Sequence, residues 1–399
     1  MPSASFHTFG CVVLMLAAVP ASGCGDDDSS ADPAGAGASG SASTSGTTGG
    51  AGGSGGEGGE AGCPPGSHPA ADACEATLTG WTDGPPLANK RDHHLTFVAV
   101  AESGPFLYAA GGVVDNGDLL DGIESAAIQP DGSLGPWSAT STLPQVAAGA
   151  GVAVVGSSII VSGGYRLTSG GNPTLSSATD VGVLAADGTI GGWTVGPKLA
   201  ETRFHHSMVA DAANLYVIGG LTGDNTDNTP RVEHAVVGEG SVVGAWSDVT
   251  PLPAKRSHHS AVIHDGAIFV TGGLEGDPNS ATYTTFTEVL RAPILVDGAL
   301  GNWAVVGQLP MALTTHASLV HAGSLYVLGG IEGDSHNVAT VRRAPIGADG
   351  MLGAWEELAP LPTARAHAHQ TPLYQGFVYA AGGALDHASM PDVYIGRFE

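Results

Sequence analysis

Histidine, arginine and aspartate recur in this sequence with enough regularity to do chemistry together. Aligned on six Gly-Gly pairs, one position at the entry to the first strand of each repeat holds His94, Ala150, His206, His259, His316 and His369, and the position before it holds His93, Gly149, His205, His258, Thr315 and Ala368. Arg91, Arg203 and Arg256 stand two residues before that preceding position. Imidazole binds transition metals when neutral and anions when protonated. Five imidazoles in a ring beside guanidinium groups therefore describe a metal or anion site. The competing reading is structural, with each buried ring nitrogen bonded to the backbone of a neighbouring segment. A second set lies in the loops that follow the glycines. Asp115, Asp118, Asp224, Asp227, Asp277 and Asp334, with Asn116, Asn225 and Asn228, supply the hard oxygens that Ca2+ takes. Their spacing is not that of an EF-hand, and Asx turns account for the same residues.

The elements that must position these groups repeat six times. Gly111-Gly112, Gly163-Gly164, Gly219-Gly220, Gly272-Gly273, Gly329-Gly330 and Gly382-Gly383 follow one another at steps of 52 to 57 residues. Between them fall Trp137, Trp193, Trp246, Trp303 and Trp355, with Trp81 ahead of the first pair. Each Gly-Gly closes an apolar run (FLYAA, SIIVS, NLYVI, AIFVT, SLYVL, FVYAA) that lacks alternation, as a strand buried on both faces should. At the middle of each run stands Tyr108, Ile160, Tyr216, Phe269, Tyr326 or Tyr379, large enough to fill the space between neighbouring units. A third strand follows and ends in a tight turn, written Asp-Gly at 131, 187, 297 and 349 and Glu-Gly at 239. Trp then opens a fourth strand. Pro293 and Pro345 fall near the ends of third strands, where proline removes a ladder hydrogen bond, and are read as strand-end bulges.

A period of this length with four strands is that of a propeller blade. The last repeat has no Trp strand of its own, and Trp81 belongs to a fourth strand with no blade ahead of it. Residues 78 to 87 placed at the outer edge of the final blade remove both orphan edges. The expectation is an all-β, six-bladed propeller over residues 78–399, closed by an N-terminal strand. The apolar strand ending in Gly-Gly, the Trp about 25 residues later and the Arg-x-His approach to the next blade resemble Kelch-repeat propellers over about 320 residues. That resemblance implies four-stranded blades and a face shared by the post-glycine loops and the blade-to-blade loops. It also implies a range of roles, from scaffolds and adhesins to a few enzymes.

The remaining residues divide into an export leader (1–23), a Gly/Ser-rich acidic tether (24–62) and a short segment (63–77). Residues 11–20 form an apolar run too short to span a bilayer. Ala21-Ser22-Gly23-Cys24 then resembles the lipobox of bacterial lipoproteins, which implies a lipidated Cys24 as the only membrane attachment, on the outer membrane or cell surface. A plain secretory signal, with a periplasmic or secreted product, is the alternative. The tether is too polar to bury a core and should stay disordered. In an exported protein Cys63 and Cys74 most simply close one disulfide. The chain carries a net charge of −25 with 13 Lys+Arg. Without basic clusters nucleic acid is excluded as a partner, and protein or glycan ligands, with Ca2+ as a possible cofactor, are expected of a monomer.

Most enzyme readings fail on the residues. Copper radical oxidases of related fold need a Cys joined to a Tyr, and no cysteine follows Cys74. Sialidase boxes place Asp and Trp differently from the Asp131 to Trp137 spacing. The expected function is therefore recognition without catalysis at the face carrying Arg91, His94, Arg203, His206, Arg256, His259, His316 and His369. Asp115, Asp224, Asp277 and Asp334 form its rim. A sugar mutarotase or epimerase is the alternative.

Overall fold

The computed structural model describes residues 62–70, 73–115, 117–167, 171–223, 227–278, 283–333, 336–368 and 370–399. Cys24, the leader, most of the tether, Asp224, Asp334, His369, Asn116 and Asn225 lie outside them.

The six apolar runs are the second strands of six antiparallel four-stranded sheets. Blade 1 comprises Leu95–Ala101, Gly104–Ala110, Gly122–Ala127 and Ser138–Thr142, and blades 2 to 5 repeat that order. Blade 6 takes its inner three strands from Leu373–Tyr374, Phe377–Ala381 and Val393–Phe398, and its outer strand from Leu78–Asp83. The chain is thus an all-β, six-bladed propeller closed by an N-terminal strand, as the orphan Trp81 required. Pro293 and Pro345 are the last residues of their third strands and stay in register with Ala267 and Ser324. The bulge expected at Pro293 lies instead between Val289 and Leu290, because a terminal proline forfeits no interior ladder bond.

The core sits between blades. Blades 2 and 3, for example, share one apolar cluster that includes Ile160, Val181, Met208, Leu215 and Val217. Polar stitches lie above and below it. Trp137, Trp246, Trp303, Trp355 and Trp81 each donate an indole N–H to a carbonyl of the preceding blade, on Pro85, Pro197, Thr250, Gln308 and Ala359. The tyrosines reach the other way: Tyr108, Tyr216 and Tyr379 donate their hydroxyls to Gly188, Gly298 and Gly132 of the next blade's Asp-Gly turn.

Blade 6 has no such turn, because its outer strand comes from the far end of the chain. The segment before that strand takes its place. Tyr326 and Arg343 of blade 5 donate to the Ala76 carbonyl, at 3.3 and 2.7 Å. Gly66 packs where a Cβ would meet Gly376 and Phe398. Cys63 and Cys74 are joined, with Cα atoms 5.6 Å apart, so a short hairpin of the 63–77 segment is docked on the propeller.

Candidate functional site

Each blade is approached by a segment that pairs with the loop after Gly-Gly, as in the bridges Asp92 to Val113, Phe204 to Leu221 and Ser257 to Leu274. The approach segments and the post-glycine loops therefore share one face. Where each approach segment turns into its first strand, one residue adopts left-handed backbone: His93, Gly149, His205, His258, Thr315 and His367, with φ between 51° and 58°. These six residues are linked head to tail. His205 N donates to Gly149 O, His258 N to His205 O, Thr315 N to His258 O, His367 N to Thr315 O, His93 N to His367 O and Gly149 N to His93 O, at 2.7 to 3.2 Å. A closed ring of backbone hydrogen bonds thus encircles the propeller axis.

The left-handed turn decides which histidine faces the axis. The residue at the turn projects into the mouth, and the one after it swings between blades. His93 and His367 stack with ring centroids 4.1 Å apart, His205 and His258 at 3.8 Å, and His93 lies 4.9 Å from His205. Phe204 packs edge-on to His205 at 4.0 Å, and Tyr165 packs on Phe204, forming an aromatic wall. Gly149 makes room for that wall, since a Cβ there would fall 2.1 Å from the Phe204 ring. His93 Nδ1 is paired with the carboxylate of Asp92, whose other oxygen accepts the Ser389 hydroxyl at 2.6 Å. Burial works to raise the Asp92 pKa, but the charge and hydrogen bond of His93 and the bond from Ser389 outweigh it, so the carboxyl stays below its usual range. Ser257 Oγ, itself bonded to Asn228, meets His258 Nδ1 at 2.8 Å. Burial, followed by the charge of His93, lowers the His258 pKa to about 3.

The expected ring of His94, His206, His259 and His316 is elsewhere. These four are wedged between blades, fully buried, each against the first glycine of the preceding blade's pair: Gly382, Gly163, Gly219 and Gly272. The second glycine of each pair clears the backbone of the blade's own histidine, as Gly220 does for His206. Burial lowers His94, His206 and His316 to about 3, helped at the first two by Arg91 and Arg203. His259 falls well below its usual value for the same reasons, with Arg256 beside it. In blade 6 the equivalent of the wedge is Ala368. His367, not the residue before His369, is the mouth residue, because the stretch from this turn to Gly382 is one residue longer than the corresponding stretches of blades 2 to 5.

The arginines are also consumed by the fold. Arg91, Arg203 and Arg256 are buried, and each donates Nη1 to the carbonyl of the first glycine of its pair, Gly111, Gly219 and Gly272. Nη2 of each reaches Glu124, Glu233 or Glu288. Arg365, which sequence alignment missed, does the same at Gly382 and stacks over Tyr394. A buried guanidinium so paired holds the sheet and is closed to a ligand.

Among the described residues the loop aspartates do not converge. Asp115 pairs with Lys90 and accepts Ser389 N–H, Asp227 pairs with Lys255, and Asp277 sits half-buried in its own loop. Among the described residues, the group of three His, Cys, Asp or Glu side chains whose donor atoms come within 4.8 Å of one another is His93, His205 and His367. A cleft of ≈ 500 Å³ lined by Trp81, Asp131, Phe377 and Arg397 lies beside an Asp-Gly turn, between blades 6 and 1.

No family model matches the chain. Among curated proteins it is 25% identical over 217 residues to Kelch-like protein terF of Aspergillus terreus, covering 48% of this chain and 42% of that one. It is 24% identical over 241 residues to human Kelch-like protein 23 (59% and 36%), and 22% over 219 residues to beta-scruin of Limulus polyphemus (52% and 23%). The chain thus spans less than half the length of these relatives. Among solved structures, that of YjhT matches with a TM-score of 0.61 at 12% identity, over 78% of this chain and 95% of the other. By its fold the chain is a Kelch-like β-propeller, and its low-identity Kelch-repeat relatives support a place in that family.

Proposed function

We propose that this chain is a non-catalytic recognition module that engages a protein or glycan ligand with the face bearing the axial mouth and the post-glycine loops. The contrast between the two faces carries the reading. On the far face Asp and Trp stand six residues apart in four blades, and three of the turns between them, at Gly132, Gly188 and Gly298, are committed to interblade locks. On the mouth face the loops run from nine residues in blade 1 (113–121) to fourteen in blades 2 and 4 (165–178 and 274–287), and His93 and His367 are partly exposed at its centre. Rigid scaffolds with divergent loops on one side present binding surfaces. The Kelch-repeat relatives suit an interaction propeller. A lipidated Cys24 and the tether behind it would hold the head clear of a membrane, and mass spectrometry of the mature protein from its host tests that attachment.

The deciding experiment is a glycan and surface-protein binding screen, with and without Ca2+. A Tyr165→Ser, Asp118→Ala, Asp277→Ala variant is expected to lose the hit, and Met351→Ala on the far face to keep it. A hit that survives the triple substitution removes the assigned face. The Asp92–His93 pair favours a second reading, acid–base catalysis on a sugar as in a mutarotase or epimerase. Turnover of a sugar that disappears in Asp92→Asn would establish that reading in place of the first.

A further inference from the structure

We propose that His93, His205 and His367 form a binding site for a divalent transition metal of the Zn2+ and Co2+ kind, at the centre of the axial mouth. Three observations meet there. Nitrogen atoms of the three rings lie within 4.8 Å of one another. Tetrahedral coordination at about 2.0–2.1 Å sets such nitrogens about 3.3 Å apart, so closure asks each ring for about an ångström of movement. Such a shift is small beside the rotation available to an imidazole about its own side-chain bonds.

The second observation is orientation. Asp92 accepts from Nδ1 of His93, and Ser389 fixes Asp92 in turn. This is the carboxylate–imidazole arrangement that sets the tautomer of a metal-binding histidine and leaves Nε2 as the donor. The third is that the fold does not ask for histidine at these places. The left-handed turn at the same node of blade 2 is made by Gly149, which adopts φ > 0 without cost, whereas His93, His205 and His367 accept it with a side chain. Imidazole donors without a carboxylate ligand suit zinc, copper, nickel and cobalt rather than Ca2+, and three of them leave a coordination position for water. His258, stacked on His205 and held by Ser257, closes one side of the site.

The test uses the full chain made without a polyhistidine tag, stripped with EDTA and titrated with Zn2+ by calorimetry and with Co2+ by visible absorption. One equivalent is expected to bind, with the intense d–d bands of tetrahedral Co2+. His93→Asn with His205→Asn should abolish that isotherm, asparagine being chosen because it tolerates left-handed backbone. Asp92→Asn should weaken it by about 10- to 100-fold, as loss of an orienting carboxylate does. His336→Gln, an exposed histidine in a blade 5 loop, should leave it unchanged. Metal-free circular dichroism and thermal midpoints establish that each variant folds. If the double variant does not, His367→Asn, whose ring is partly exposed, decides alone. The absence of saturable binding by the wild type, or a full equivalent retained without these ligands, would overturn the site.

Discussion

Blades 2 and 3 have the same four strands, yet almost every repeated side chain of blade 3 is missing from blade 2. Blade 3 carries Arg203, His205, His206, Tyr216, Glu233 and Trp246. Blade 2 has Ala147, Gly149, Ala150, Ile160, Asp180 and Trp193 at the same places. The loss at the clamp is made good from another direction: Arg166, two residues past Gly164, pairs with Asp180 and donates Nε to the Gly163 carbonyl. Blade 5 inverts the charges, with Glu332 in the loop and Arg342 on the strand at 2.7 Å. Where Tyr216 would reach a turn glycine, blade 2 links Ser158 to Ser241 across 2.7 Å. One loss is not made good, since the Trp193 indole N–H is buried without a partner. The comparison teaches that the fold needs each node filled by some complementary pair and is indifferent to which residue supplies it.

The largest effect that sharpens this contrast is acid sensitivity. His94, His206, His258 and His316 titrate near 3 when folded and His259 well below its usual value, against about 6.5 in the unfolded chain. As pH falls below about 6.5 the unfolded chain takes up protons that the folded one refuses. Stability is therefore full above that pH and drains toward pH 3, at about 1.4 kcal/mol per pH unit for each buried histidine. Denaturation measured from pH 7.5 to 5 should show a slope of several protons. His206→Ala, which copies the Ala150 of blade 2, should lower the slope by one, and a flat profile would mean that these rings are not buried as described.

Next in size is the clamp. Arg203→Ala leaves Glu233 buried and uncompensated and should cost about 3–5 kcal/mol in urea denaturation. Arg203→Met with Glu233→Leu should recover most of it, as the variety of solutions among the blades implies. The smallest effect separates the two tryptophans. Trp246→Phe forfeits the bond to Pro197 O and should cost about 1 kcal/mol more than Trp193→Phe, which forfeits none. Equal losses would show that the stitch contributes nothing.

Most of the fold was legible because its markers are backbone requirements. Two consecutive glycines at φ > 0 and a Trp at fixed spacing leave few alternatives, and the count of six made the closing strand a necessity. The candidate site was legible only in part. Alignment on Gly-Gly finds the right pair of positions in blades 1 to 5, with four more residues before the glycines in blade 1, but residue type does not tell which of two consecutive histidines faces the axis. The left-handed turn between them settles that, and glycine at 149 was its one visible sign. In blade 6 one extra residue between the left-handed turn and Gly382 displaced the register, so His367 and Arg365 were passed over. The arginines were misread for a simpler reason: their glutamate partners lie some 30 residues on, a distance at which sequence shows no pairing.

The closing strand also sets an order of events during synthesis. Thr79 and Arg397, joined in blade 6, are 318 residues apart. The strand at Leu78–Asp83 leaves the ribosome before any of the blades and has no partner until Val393–Phe398 emerges, while blades 1 to 5 can assemble behind it. For that interval the nascent chain carries two open sheet edges, and closing them is the most non-local step of its folding, the kind that is slow and exposed to wrong partners. The glycine at 80, the bulge beside it and the acidic residue at 83 make that waiting strand short and a poor template for its neighbours.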